Sequence, residues 1–196
     1  MPCRPLRLSF LSVAAWAVAC GASVVRADGY FAQADISVDT FTGVFSMRRG
    51  PLTFGTVYSD YEGGEDLNVT AAYAFPLGDP AMPVTLRVGP ALQYEGLEEL
   101  KVGLRVVAEH YRPTDFGSLF LLGEVSSIDK AYFGLVAFGL SGPDVVIELT
   151  HQGDDDDYRE TAVAVAKPVP GTDFSVRAGY KFRAEEVFLG ISWNTF

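Results

Sequence analysis

The stretch Leu67-Asn68-Val69-Thr70-Ala71-Ala72-Tyr73-Ala74-Phe75 decides how the rest of the chain is read. Its larger apolar side chains fall at every second residue, the period at which an extended chain points successive side chains to opposite faces. A helix would need them at intervals of three and four. The same alternation recurs in Val84, Leu86 and Val88, in Leu100, Val102, Leu104 and Val106, and in Val145, Ile147 and Leu149. Phe174, Val176, Ala178 and Tyr180 continue it, and Val187, Leu189, Ile191 and Trp193 follow. Helical periodicity is hard to find anywhere. Beyond the N-terminal region the longest apolar run, Phe133 to Leu140, contains two glycines and is far shorter than the ~20 residues of a membrane-spanning helix.

Turn signals divide the chain into twelve expected strands, at about 29–39, 43–49, 52–60, 66–75, 84–94, 100–111, 118–126, 131–141, 144–152, 158–167, 172–183 and 186–196. Most are near the ~9–11 residues that carry a tilted strand across a bilayer. The short 43–49 segment is the weakest of them, and losing it with its partner would leave ten strands. The connections alternate in chemistry. One set is acidic and poor in proline: Tyr61–Glu65, Glu95–Glu99, Ser127–Lys130, Gly153–Asp157 and Ala184–Glu185, with Thr40–Thr42 first. The other set is centred on Pro51, Pro76 to Pro83, Pro113, Pro143 and Pro168 to Pro170. In an up-and-down antiparallel barrel successive connections emerge at opposite ends, so two alternating chemistries are two rims of one cylinder. The expected fold class is therefore all-β, an up-and-down antiparallel transmembrane β-barrel of about twelve strands. An even strand count puts both termini at the proline rim, the periplasmic end in outer-membrane barrels.

Composition agrees once the N-terminus is set apart. Of 196 residues, 48% are apolar and 20% charged, which argues against disorder. The first 27 residues hold three of the 15 Lys+Arg, none of the 25 Asp+Glu and both cysteines. They read as a secretory signal: Arg4 and Arg7, an apolar Leu8 to Ala19, and Val25-Arg26-Ala27 as the cleavage site. The competing reading lipidates Cys20. Residues 28–196, the expected barrel domain, are cysteine-free with twelve cations against 25 carboxylates, a net −13. That excludes a disulfide scaffold, a Cys-ligated metal and a Cys nucleophile, and it argues against nucleic-acid binding.

Alternation alone does not separate a lipid-facing barrel from a secreted soluble barrel that binds an apolar ligand inside. Aromatic residues near strand ends favour the membrane: Tyr58, Tyr94, Tyr132 and Tyr180 toward the acidic rim, and Tyr30, Phe75, Phe174 and Trp193 toward the proline rim. Twelve strands also make an interior too wide for a soluble barrel to fill easily. The opposite face carries Asp35, Arg87, Lys101, Arg105, Glu109, Glu124, Glu148, Arg177 and Lys181, expected in the lumen. Arg105, Glu124, Glu148 and Arg177 fall near mid-height, and small residues at Ala162 and Ala164 leave room for Glu148 to reach Arg177. Such charges form either a plug of ion pairs or the lining of a narrow channel for small polar solutes.

Catalysis has little support. His110 and His151 fall on the lipid-facing register near a rim, and neither has the His-x-Ser spacing of outer-membrane lipid hydrolases. Asp154, Asp155, Asp156 and Asp157 offer oxygen ligands for a divalent cation, but adjacent residues on a strand point apart, and a solvated loop tip is the simpler reading. No metal and no cofactor is called for. Asn68-Val69-Thr70 is a formal glycosylation sequon inside an expected strand.

Gly50-Pro51-Leu52-Thr53-Phe54-Gly55, followed by Tyr58-Ser59-Asp60 and by a strand ending Phe75-Pro76-Leu77-Gly78, resembles the YfaZ-type family of small Gram-negative outer-membrane proteins. Glu109-His110-Tyr111-Arg112-Pro113 and Arg177-Ala178-Gly179-Tyr180 add to the likeness. The resemblance implies outer-membrane lipids and lipopolysaccharide as surroundings, a monomeric state, and recognition of Trp193 and Phe196 by the outer-membrane assembly machinery. Asn194 stands where such signals carry an apolar residue, and Trp193 and Phe196 belong to opposite faces of a regular strand.

Overall fold

A computed structural model describes residues 28–79 and 82–196. The expected signal, residues 1–27, with Cys20 and the cleavage site after Ala27, lies outside the described residues. Among those described, the strands are β1 (Gly29–Ile36), β2 (Thr40–Arg49), β3 (Leu52–Tyr61), β4 (Gly64–Leu77), β5 (Val84–Glu95) and β6 (Glu99–Thr114). They continue as β7 (Gly117–Ser126), β8 (Tyr132–Leu140), β9 (Val145–Gly153), β10 (Arg159–Pro168), β11 (Phe174–Lys181) and β12 (Glu186–Asn194). Each pairs antiparallel with its neighbours in sequence, and β1 closes the barrel on β12 from Phe31↔Asn194 to Ile36↔Leu189. The sheet has no edge left to protect.

The architecture is the twelve-strand one expected, and the ten-strand alternative is excluded. The segment that seemed short, β2, has ten residues, because its pairing with β3 runs from Thr40↔Tyr61 to Arg49↔Leu52. The first acidic-rim connection is correspondingly Ser37 to Asp39, closed by a Ser37 N–H to Thr40 carbonyl bond of 2.8 Å, and not Thr40–Thr42. On the proline rim β4, β6 and β10 run on to include Pro76, Pro113 and Pro168 at or near their ends, where a missing N–H disturbs the ladder least. The two-residue turn between β2 and β3 needs a left-handed first residue, and Gly50 supplies it at φ 55°.

Pro90 is the proline that breaks the rim rule, and its surroundings adapt. Pairing of β4 with β5 pauses between Thr70↔Ala91 and Tyr73↔Val88, opposite the residue that has no N–H to give. Beside it the backbones approach so closely that a Cβ on Gly89 would collide with the Ala71 carbonyl oxygen.

The register sends apolar side chains outward and charged ones inward. Val102, Leu104, Val187 and Leu189 on the outer wall are 60–69% exposed, whereas Arg87 and Glu124 are each 3% exposed. In water this arrangement would be inverted; in hydrocarbon it satisfies both faces. The named girdle aromatics all lie on the outward register. Tyr30 stacks on Trp193 with ring centroids 6.1 Å apart, and the Arg49 guanidinium lies 4.9 Å from the Tyr30 ring at the proline rim.

One feature runs against simple alternation. In β7 and β8 both faces are apolar, so Phe120, Leu122, Phe133, Leu135 and Ala137 point inward. There they form one buried cluster with Phe31, Val44 and Val57 from β1 to β3 and Val107 from β6. Opposite walls of the barrel therefore meet across the lumen. The apolar fraction is thus divided between an outward-facing coat and an internal core.

Candidate functional site

The interior polar side chains stand in two groups, one on each side of the apolar cluster. On the β5–β7 side Arg87 pairs with Glu109 at 2.9 Å, and Arg105 pairs with Glu124. The register explains both pairs: Arg87 and Glu109 belong to adjacent strands two positions out of step, and Arg105 and Glu124 are related in the same way. On the β9–β12 side Arg177 lies between Glu148 at 2.9 Å and Asp35 at 3.4 Å. Arg177 reaches Glu148 across Ala164, which pairs with Glu148 on one side and with Gly179 on the other. Gln33 donates from Nε2 to Asp35 Oδ2 at 2.8 Å, holding that carboxylate in place.

Lys101 and Lys181 lie higher, at the acidic rim. Lys101 Nζ contacts Glu95 Oε2 at 2.5 Å and both oxygens of Asp129 at 3.0 Å. Lys181 faces Glu186 at 3.5 Å, and Glu186 also accepts from the Ser37 hydroxyl at 2.6 Å. Asp129 and Glu95 were legible in the sequence only as rim acids, and Glu186 only as the start of the last strand; which cation each one meets is fixed by loop conformation. The β7–β8 connection folds into the mouth, burying Ile128 and Ala131 and placing Asp129 over Lys101. A second connection, between β9 and β10, buries Tyr158, whose hydroxyl accepts from Gln152 Nε2 at 3.1 Å. Burial pushes the Tyr158 phenol above its usual pKa, so it stays neutral. The two connections are tied by the Asp155 N–H to Asp129 carbonyl bond of 3.0 Å and by Lys130 with Asp155 at 3.1 Å.

That arrangement separates the four consecutive aspartates. Asp154 turns inward and accepts at Oδ1 from the N–H groups of Asp156 and Tyr158, Asp155 faces Lys130, and Asp157 lies 3.9 Å from Arg159. Among the described residues no group of three or more His, Cys, Asp or Glu is placed to hold a metal ion.

Two cavities are found between the ion pairs. One, of about 40 Å³, lies against Ser46, Thr53, Arg87, Arg105 and Glu124; the other, of about 90 Å³, lies against Asp35, Glu148, Glu160, Arg177 and Lys181. The paired residues Val44 and Val57 line both and form the partition between them.

His151, on the outer wall, has a neighbour that sequence spacing does not reveal. The β9–β10 register sets it opposite Thr161, with Nδ1 to Oγ1 at 2.9 Å, while Nε2 is 3.3 Å from the Tyr132 hydroxyl. His110 Nδ1 lies 3.2 Å from the Pro83 carbonyl. Trp193 is outward and Phe196 inward: Phe196 packs against the lumenal core and over Gly29, and its N–H donates to Asn194 Oδ1 at 3.1 Å.

These features define a class: a closed twelve-strand antiparallel barrel of porin-like architecture, apolar outside and ion-paired within. No protein-family profile matches the chain, and no curated protein is similar to it in sequence. Among solved structures it is similar to a KdgM porin, with TM-score 0.52 and 13% identity over 86% of this chain and 99% of that one. It is similar also to the KdgM porin in complex with disordered oligogalacturonate, with TM-score 0.55 at the same identity and coverage. The likeness is one of fold.

Proposed function

We propose that this chain is a small outer-membrane β-barrel whose interior is shut by its own side chains, a structural surface protein without a catalytic role. The observation that carries the reading is the inward apolar cluster, which joins opposite walls and divides the lumen into cavities of about 40 and 90 Å³. A narrow channel for small polar solutes is the second reading, favoured by the porin-like fold alone. One of the similar porins is described in complex with oligogalacturonate. Here Arg87, Arg105 and Arg177 each face a carboxylate of the barrel itself, which leaves no free row of cations for an acidic sugar among the described residues.

The proposal includes export by residues 1–27, surrounding lipid and lipopolysaccharide, a monomeric state and insertion by the assembly machinery with Trp193 and Phe196 in the closing strand. The YfaZ-type likeness belongs to it too; Gly50 and Pro51 of that motif form the β2–β3 turn. Cell fractionation tests the placement. Recovery in the outer-membrane fraction with heat-modifiable gel mobility is expected, and recovery as soluble periplasmic protein would support the soluble-barrel alternative.

A further inference from the structure

Closing the barrel makes one ladder unlike the rest. Every other pair of neighbouring strands is joined by a connection, but β1 and β12, the first and last strands, have none between them. Their ladder is also short. It covers six residues of each strand, from Phe31↔Asn194 to Ile36↔Leu189, where the β5–β6 ladder covers twelve. Local opening is cheapest where backbone hydrogen bonds are fewest.

Side chains add what this ladder lacks. At the acidic rim the Ser37 hydroxyl of the β1–β2 connection donates to Glu186 Oε2 at 2.6 Å. Below it, Arg177 of β11 reaches Asp35 of β1 at 3.4 Å by passing over β12 at Gly190, which lies opposite both residues. A Cβ on Gly190 would collide with Asp35 Oδ1.

At the proline rim the regular ladder ends at Asn194 and a different fastening begins. The Thr195 N–H donates to the Tyr30 carbonyl at 3.0 Å, but the Tyr30 N–H goes to Thr195 Oγ1 at 2.9 Å. Asn194 Oδ1 accepts from the Phe196 N–H at 3.1 Å, the bond of an Asx turn. The Phe196 ring then crosses to β1 and lies on the bare backbone of Gly29, where a Cβ would collide with it, and it packs at the same time against the inward apolar cluster.

We propose that the β1–β12 seam is the line along which this barrel opens sideways, and that Phe196, seated on Gly29, is the strap that holds it shut. The strap is an apolar contact between a ring and bare backbone, so it releases without breaking a ladder hydrogen bond. The larger cavity adjoins the seam: Gln33 and Asp35 of β1 and Phe188 of β12 line it, so parting these strands gives it an exit through neither mouth. None of this depends on the lumen conducting or on Phe196 being read during assembly.

Hydrogen exchange of the purified, folded protein in detergent micelles tests it strand by strand, with heat-modifiable mobility confirming the fold of each variant. Phe196→Ala should speed exchange in β1 and β12 about tenfold or more and leave β5 and β6 unchanged. Gly29→Ala, which displaces the ring but keeps residue 196 intact, should do the same, and it serves alone if Phe196→Ala does not fold. The double variant should be no faster than either single one, because both remove one contact. Ala34 and Ile191 face each other across the seam, and a disulfide formed by the Ala34→Cys, Ile191→Cys pair should return Phe196→Ala to the parent rate. Unchanged exchange at the seam in either variant would overturn the strap. So would additive effects of the two substitutions, a disulfide without effect, or acceleration spread evenly over all twelve strands, which would make Phe196 one more ring of the core.

Discussion

Arg177 touches Glu148 and Asp35 at once, and both carboxylates depend on it within a largely buried setting. Removing one partner of such a group leaves charges without compensation, so Arg177→Met should destabilise the barrel by about 3–5 kcal/mol. Changing all three together, Arg177→Met with Glu148→Leu and Asp35→Leu, should recover most of that loss, because an apolar set of similar volume avoids the desolvation cost. Urea unfolding followed by tryptophan fluorescence gives both numbers. A triple variant less stable than the single one would show that the charges do more than neutralise one another. The meeting of Glu148 with Arg177 was legible in the sequence, since alternation placed both on one face and Ala164 between them is small. The partners of Lys101 were not legible, because Asp129 reaches it only through a connection whose residues Asp129 and Lys130 adopt positive φ of 52° and 45°.

At the scale of elements, β7 and β8 determine the state of the lumen. The run Phe133 to Leu140 was visible as an apolar stretch, and Leu119 to Leu122 is a second one, but alternation is the signal that assigns faces, and it fails where both faces are apolar. The loss of alternation was itself the clue to an inward core. Phe133, 2% exposed, lies in that core, and Phe133→Ala should cost about 3–5 kcal/mol in the same unfolding assay. A Phe133→Ala variant as stable as the parent would mean that the inward cluster is not packed. The β7–β8 connection closes the acidic mouth in a separate way. Residues 28–196 contain no cysteine, so a single Gln93→Cys, at a site 4% exposed beneath Asp129, gives a clean probe. A charged thiol reagent should label it slowly in the intact barrel, and faster by at least tenfold when Ser127–Lys130 is replaced by Asn-Gly. Equal rates in both would show that this connection does not cover the mouth.

For the whole molecule, the twelve-strand count, the alternating rims and the inside-out polarity were all readable from period-two patterning and from where prolines and carboxylates fall. Whether the interior is open was not readable, because that depends on how far opposite walls approach, which no local pattern encodes. In the structure Phe31, Val44 and Val57 meet residues of β6 to β8 across the lumen, and the ion pairs occupy what remains. The central claim is that this barrel is closed at rest. Planar-bilayer recording of the purified, folded protein tests it most directly. The account predicts insertion, verified by protease protection and heat-modifiable mobility, with no rise above baseline current at any salt concentration. Discrete conductance steps from the unaltered protein would contradict it and establish the channel in its place.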